Sequence, residues 1–411
     1  MIDFSNKKAL LIEDLPEARA MQKKMLVDFG FSSVDVAMKA ESALELLHSS
    51  TYDVILSDYN LGKGKNGQQI LEEVRLASLI PNTSTYLMVT AETSMEMVMG
   101  SIECQPDGYI AKPFSQALLQ KRLVKLIESK EKLKAINIAL DEGDFQLAID
   151  ECIRVSKQHP ILHGRCQRIL SDCYISLKQY DKALELFDHV LEERQMPWAL
   201  FGKAKVQFLQ KKFLKSEANF KQLTFDNQFF VNSHDWLAKC LMAQNKYQEA
   251  QQVLIEALKK SPQSVVRQKT LGNISLKLKD YEVAETSFRK AVSLAKHSHF
   301  NTPDIYINHL VSIIKIGQIS ETLHLKQKNI FKRTAQKIDL YFENNLKTMT
   351  HKYELSVDLY IAVKDKVQAM SALNIWDKQA SIGKANPPPV DLEAKIAALE
   401  EKSIESNVEK K

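Results

Sequence analysis

Asp58 closes an apolar run, Val54-Ile55-Leu56, and opens into a Gly- and Lys-rich loop, Gly62-Lys63-Gly64-Lys65-Asn66. Such a run reads as a buried parallel strand that delivers a carboxylate to the mouth of a sheet. Four other residues suited to the same chemistry end similar runs. Glu13 and Asp14 follow Ala9–Ile12, Thr90 with Ala91 follows Thr85–Val89, and Lys112 with Pro113 follows Gly108–Ala111. Three carboxylates at one rim repel one another unless a cation joins them. Mg2+ suits an all-oxygen set and often binds through one or two carboxylates plus phosphate. It would also offset charge on a phosphoryl group arriving at Asp58. Thr90 would then hydrogen-bond one phosphoryl oxygen and Lys112 would pair with another. A lone Asp at a strand end is an ordinary turn residue, and only the set as a whole makes Asp58 a candidate phosphoryl acceptor.

The elements that must position these groups alternate between strand and helix patterns. Strand-like Ala9–Ile12 precedes helical Pro16–Phe29, and Val34–Ala37 precedes Ala40–His48. Val54–Ser57 precedes Gln68–Ala77, Thr85–Val89 precedes Met95–Ile102, and Gly108–Ala111 precedes a long helix opened by Gln116 with Ser115 as its cap. Five such units predict a doubly wound parallel sheet with helices on both faces. Working residues in these sheets sit at the carboxyl ends of the strands, where all the named side chains fall. Met95, Met97 and Met99 read either as ordinary helix surface and core or as adaptable contact surface.

Taken together, Glu13-Asp14, Asp58, Thr90-Ala91, Tyr109 three residues before the lysine, and Lys112-Pro113 resemble the receiver domain of two-component response regulators over about residues 5–130. The resemblance implies sheet order 2-1-3-4-5 and phosphotransfer from the phosphohistidine of a sensor histidine kinase. It implies Mg2+ held by Asp14, Asp58 and the backbone carbonyl of Asn60, with Glu13 acting through water. It further implies a cis Lys112-Pro113 bond, and Thr90 and Tyr109 as switch residues. The family usually carries Met-Pro after the acceptor and a glycine eight positions on. Here Leu61-Gly62 stands there and Gly67 comes nine positions on, so the loop between them is longer and more basic.

Composition sets the frame for the rest. At 411 residues, several domains are expected. The net charge of +5 is uneven, the first 128 residues being acidic and the remainder basic. That excess is diffuse, which reads as a solvated surface before it reads as a nucleic-acid footprint. Cys104, Cys152, Cys166, Cys173 and Cys240 form neither a disulfide ladder nor a zinc set and read as small core residues in a reducing, cytoplasmic setting. The N-terminus has no signal-peptide pattern and no apolar run is long enough to span a membrane.

Beyond about Leu133 the strand pattern ends and a period of about 34 residues begins. Small residues recur at Ala148, Ala183, Ser216, Ala250 and Ala284. Aromatics stand three residues earlier (Phe145, Tyr180, Phe213, Tyr247, Tyr281), and Cys152, Phe187, Phe220, Leu254 and Phe288 stand four residues later. This resembles the tetratricopeptide repeat, two antiparallel helices per unit, each burying its apolar face against its neighbours. Five units fit over Ala135–Ala291. A sixth, with Thr322 in the small-residue role, fits poorly.

The expected architecture is therefore multidomain: a receiver-like α/β domain at 1–130, an all-α repeat solenoid at 131–330, additional helices at 331–380, and a linker with a C-terminal amphipathic helix and tail at 381–411. Gln116–Leu140 lacks Pro and Gly, so the last receiver helix is expected to run nearly unbroken into the repeats. By the repeat register, Asp172, Lys205, Lys239 and Asn273 share one row, with Lys269 a turn before Asn273. An acidic peptide is a candidate ligand for that row, and a solvated polar row is the competing reading.

No helix-turn-helix, P-loop, dinucleotide glycine motif or catalytic triad is found, and His297 and His299 lack companion ligands. The chain is thus not expected to be an enzyme beyond its own aspartyl phosphorylation and dephosphorylation. The leading expectation is an adaptor whose repeats bind a protein partner under control of Asp58. The alternatives are a phosphate sink that binds a kinase or another regulator and, more weakly, nucleic-acid binding by the basic half. The sequence leaves oligomeric state, including a homodimer, open.

Overall fold

The computed structural model describes residues 3–62, 65–91, 106–226, 231–262, 264–296, 300–320 and 322–399. The Met95–Ile102 pattern, Cys104, the His297 and His299 pair and the tail from residue 400 lie outside these. Five strands, β1 (Lys8–Ile12), β2 (Ser33–Ala37), β3 (Val54–Asp58), β4 (Thr85–Thr90) and β5 (Gly108–Ala111), form one parallel sheet of order β2-β1-β3-β4-β5. This is the order the resemblance implied. Helices α1 (Pro16–Asp28), α2 (Ala40–Ser49), α3 (Gly67–Leu76) and α4 (Gln116–Lys132) belong to this layer.

Alternation along the strands divides the core in two. Leu10, Ile12, Ile55, Tyr86 and Met88 pack on one face with Leu44, Leu47, Ile70 and Val74 of α2 and α3. Ala9, Leu11, Val54, Leu56, Leu87 and Val89 pack on the other with Leu26 of α1 and Leu119, Leu123 and Ile127 of α4. Burial on both faces explains why β3 reads as an unbroken apolar run.

The helical remainder comprises α5 (Lys134–Glu142), α6 (Phe145–Gln158), α7 (His163–Ser176), α8 (Tyr180–Glu193), α9 (Pro197–Leu209), α10 (Phe213–Asp226), α11 (Val231–Ala243) and α12 (Tyr247–Lys260). It continues with α13 (Val265–Lys277), α14 (Tyr281–Ala295), α15 (Pro303–Ser320), α16 (Leu325–Phe342), α17 (Leu346–Ala362), α18 (Lys366–Ser381) and α19 (Leu392–Ala397). Contacts divide the chain into two compact units after residue 263. The first holds the sheet layer and the pairs α5/α6 to α11/α12; the second holds α13 to α19.

Each second helix of the five pairs begins at the aromatic of the period, and every small residue, Ala148 through Ala284, is fully buried. The turn before it places Gly143, Lys178, Lys211, Asn245 or Lys279 in the left-handed region, the usual end of a helix. Lys364 does the same before α18, with Ala369 buried at the small-residue position. The α17/α18 pair therefore repeats the unit. Thr322 instead sits between α15 and α16, which are longer and do not follow the register. The four described cysteines are free and buried. Among the described residues no helix is long and apolar enough to cross a membrane.

Candidate phosphoacceptor site

Register carries the distant side chains to one rim. β1 ends beside β3 with Ile12 opposite Ser57, so Glu13 and Asp14 emerge next to Asp58. Asp58 pairs with Val89, and Thr90 with Ala111, so Thr90 and Lys112 emerge on its other side. Asp14, Asp58, Asn60, Thr90, Ala91 and Lys112 then line one cavity of about 280 Å3, together with Leu15, Tyr59 and Gly62. The Lys112-Pro113 bond is cis, as the resemblance implied.

Lys112 is the ammonium of the site. Its Nζ lies 2.7 Å from Glu13 Oε2 and 2.9 Å from Asp58 Oδ2. Burial pulls the pKa of this amine down, but the hydrogen bonds to Glu13 and Asp58 outweigh burial and hold it above the usual lysine value. Burial raises Asp58 above the usual carboxylate range, against the hydrogen bond from Lys112 and with the help of the Glu13 charge. Glu13 is wholly buried and Asp58 nearly so.

Glu13, Asp14 and Asp58 each place an oxygen within 4.8 Å of the other two. Among the described residues the one ammonium bonded to these carboxylates is Lys112, and every donor of the set is a hard oxygen, which fits Mg2+. Tyr109 lies on β5 opposite Met88 and packs, half-buried, against the α2/α3 core.

Two supporting residues, Gln22 and Arg19, escape the sequence pattern, and a third, Gly67, shows its role only in the fold. Gln22 on α1, itself buried, donates to Glu13 Oε2 at 2.8 Å and so fixes this carboxylate. Its signal was helical spacing with Met25 and Leu26, which reads equally as core. Arg19 donates to the carbonyls of Glu13 (3.0 Å) and Asp14 (2.8 Å), tying down the loop that follows β1. Gly67 passes so close to β3 that a Cβ there would lie 2.1 Å from the Asp58 carbonyl oxygen. The glycine was visible in sequence as a spacing, but not this contact. Past the long loop the chain is secured: Lys65 pairs with Glu73, and Asn66 and Gln69 cap α3 reciprocally at 2.9 Å each way. Lys63 and Gly64 lie outside the described residues.

The row proposed on the leading repeat helices is more divided. In the first unit Lys205 and Lys239 both set their ammonium over the Trp236 ring, at 5.6 and 4.2 Å from its centre. Arg168 lies 5.2 Å over Trp198. These indoles were not singled out in sequence because no period marks them. In the second unit Lys269 pairs with Asp304 at 2.6 Å, and Asn273 accepts from Asn308 at 3.1 Å.

Comparison with known proteins agrees with both halves. Residues 9–124 match the response regulator receiver domain family, and residues 169–195, 234–264 and 270–298 match tetratricopeptide repeat families. The chain is 31% identical over 121 residues to the chemotaxis protein CheY of Pseudomonas aeruginosa, covering 29% of this chain and 96% of that one. It is 31% identical over 123 residues to chemotaxis protein CheY-3 of Vibrio cholerae, covering 30% and 93%. Among solved structures, Vibrio cholerae CheY4 matches at 30% identity, covering 29% of this chain and 98% of that one, with a TM-score of 0.28. The C-terminal part of a repeat-containing protein from Cytophaga hutchinsonii matches at 13% identity, covering 64% and 98%, with a TM-score of 0.48.

Proposed function

The chain belongs to the response regulator receiver family, with tetratricopeptide repeats in its C-terminal half, and we propose that Asp58 accepts a phosphoryl group from a histidine kinase to control protein binding by those repeats. The observation that carries this reading is the Lys112 ammonium bonded to Glu13 and Asp58 beside Asp14 at the mouth of the sheet. An Asp58 carboxylate oxygen attacks the phosphorus of phosphohistidine. The new O–P bond forms as the N–P bond breaks, the imidazole leaves, and an acyl phosphate remains. Asp14, Asp58 and the Asn60 carbonyl would hold Mg2+, with Glu13 acting through water, and the ion supplies positive charge against the phosphoryl oxygens.

Lys112 already touches Asp58 and is placed to follow one phosphoryl oxygen as the charge moves outward. Thr90, on the same cavity wall, donates its hydroxyl to another, and the Ala91 backbone lies beside it. Drawing Thr90 inward vacates space for Tyr109 to turn toward the core, and the face around β5 and α4 changes with it. On the repeats of the first unit, Lys205 and Lys239 around Trp236 present positive charge suited to an acidic peptide; within the second unit, Lys269 and Asn273 are candidates in their own right once Asp304 and Asn308 release them.

Incubation of the purified chain with phosphoramidate and Mg2+ tests the assignment. A hydroxylamine-labile phosphoryl group is expected on wild type, absent from Asp58→Asn and lost when the metal is chelated. Labelling that persists in Asp58→Asn overturns it. Partner affinity measured with and without the label tests the control of binding, and equal affinities would sink that part alone.

A further inference from the structure

The end of the sheet opposite the phosphoacceptor rim is joined to the first helix pair by a polar cluster. Lys130, in the last turn of α4, is 8% exposed. Its Nζ lies 2.8 Å from Asp107 Oδ1 and 2.6 Å from the Asn82 carbonyl oxygen. Asp107 stands just before β5; its Oδ2 accepts from the Tyr86 amide at 2.9 Å and lies 3.6 Å from Arg75. Asn82 stands just before β4. Its backbone amide and its side-chain amide both donate to Asp141 in the last turn of α5, at 2.9 and 2.7 Å. Arg165 on α7 adds a bond to Ser129 on α4 at 2.8 Å.

No flexible linker separates the parts. Leu133, the one residue between α4 and α5, is fully buried in the core of the first repeats with Ile136, Ile149 and Cys152. The cluster therefore holds the starts of β4 and β5, the two strands whose other ends carry Thr90 and Lys112. At the base both strands are held by α4 and α5, and at the rim Lys112, which follows β5, is bonded to Glu13 and Asp58. The largely buried, charge-assisted Lys130–Asp107 pair tolerates little change in distance, while the Asn82–Asp141 bonds lie at the surface. A displacement of either strand must be followed by Asn82 and Asp107 or must break the cluster.

Resting on the reading of Asp58 as phosphoacceptor, we propose that β4 and β5 act as two struts that couple the rim to the first repeat through Asn82–Asp141 and Asp107–Lys130. Loading Asp58 shifts α5 against the sheet, and by linkage a ligand that shifts α5 alters the rim in return. The route runs through the base of the sheet, so the repeats respond without leaving the receiver domain.

Hydrogen exchange on the full-length chain, with and without beryllofluoride and Mg2+ as a phosphoryl mimic, tests this. In wild type the mimic is expected to change exchange at the ends of β4 and β5 and also, about five-fold or more, in α5. Asp141→Ala and Lys130→Met should keep the response at the rim and lose that in α5. A rim that responds while α5 does not overturns the coupling and leaves the phosphoacceptor reading standing. A rim that does not respond overturns the phosphoacceptor reading instead. The coupling is then judged without the mimic: Asp141→Ala must alter exchange near Thr90 and Lys112, and an unchanged rim refutes it. Asn82→Ala, which removes only one side-chain bond, serves if Asp141→Ala does not fold.

Discussion

The receiver domain and the repeats treat buried carboxylates in opposite ways. At the rim, Glu13 and Asp58 share the Lys112 ammonium beside Asp14, and burial leaves Asp58 above the ordinary range. In the repeats, buried Glu217 on α10 is met by Lys221 at 2.7 Å, Lys246 at 2.9 Å and the Gln244 amide at 2.7 Å. Burial alone would raise Glu217, but these three bonds bring it down to about 2. Among the described residues, one cluster has a single bonded ammonium for its carboxylates and opens to a cavity; the other is saturated. Under-compensation marks a place that gains stability when a cation or a charged ligand arrives, and saturation marks a joint between helices.

The contrast breaks most visibly at Lys112. Replacing it with Met leaves Glu13 and Asp58 buried without their ammonium and should cost about 3 kcal/mol in urea unfolding without Mg2+. A loss well under that would mean that the rim is wet enough to solvate its own charges.

Glu217→Gln should cost about 1.5–3 kcal/mol, because three charge-assisted or amide bonds lose their acceptor charge. The pH dependence follows from the direction of its shift. Its folded value lies below the ordinary 4.5, so its contribution is full above that value and is lost as pH falls toward about 2. Wild type should therefore lose its advantage over Glu217→Gln across that window, and a constant difference in thermal stability down to pH 2 would contradict the assignment.

Glu13→Gln sharpens the comparison from the other side. It removes one of the crowded charges while keeping an oxygen for Gln22 and Lys112. Stability without metal should rise by about 1 kcal/mol, and the stabilisation conferred by Mg2+ in thermal melts should shrink. An unchanged metal response would separate Glu13 from the cation site.

The smallest effect concerns backbone. Lys211 holds φ +61° in the turn between α9 and α10. Lys211→Gly should gain about 0.5 kcal/mol, the relief of left-handed strain exceeding the added freedom of the unfolded chain. The equivalent Gly143→Lys should lose a similar amount.

The sheet and the rim were legible because strand ends announce themselves by a polar residue after an apolar run, and a parallel sheet brings all such ends to one side; the strand order came only with the family resemblance. The repeats were legible because each unit must present the same small residue and the same aromatic to its neighbour, as buried Ala183 and Phe187 illustrate. The α17/α18 pair was not recognised in sequence, since Lys366 replaces the aromatic and the two longer helices α15 and α16 interrupt the period. Its left-handed Lys364 appears only in the backbone.

The sequence alone determined which charges Asp58, Asp14 and Lys112 bring and on which side of the sheet they emerge, because residue type and position on a strand settle both. Tertiary structure decided the rest. That Gln22 holds Glu13, that Gly67 must be glycine, that Lys205 and Lys239 meet at Trp236, and that Asp141 reaches Asn82 are contacts between segments with no shared period. Local pattern records what a residue faces within its own element. It carries no record of which distant element lies opposite, and packing alone makes that choice.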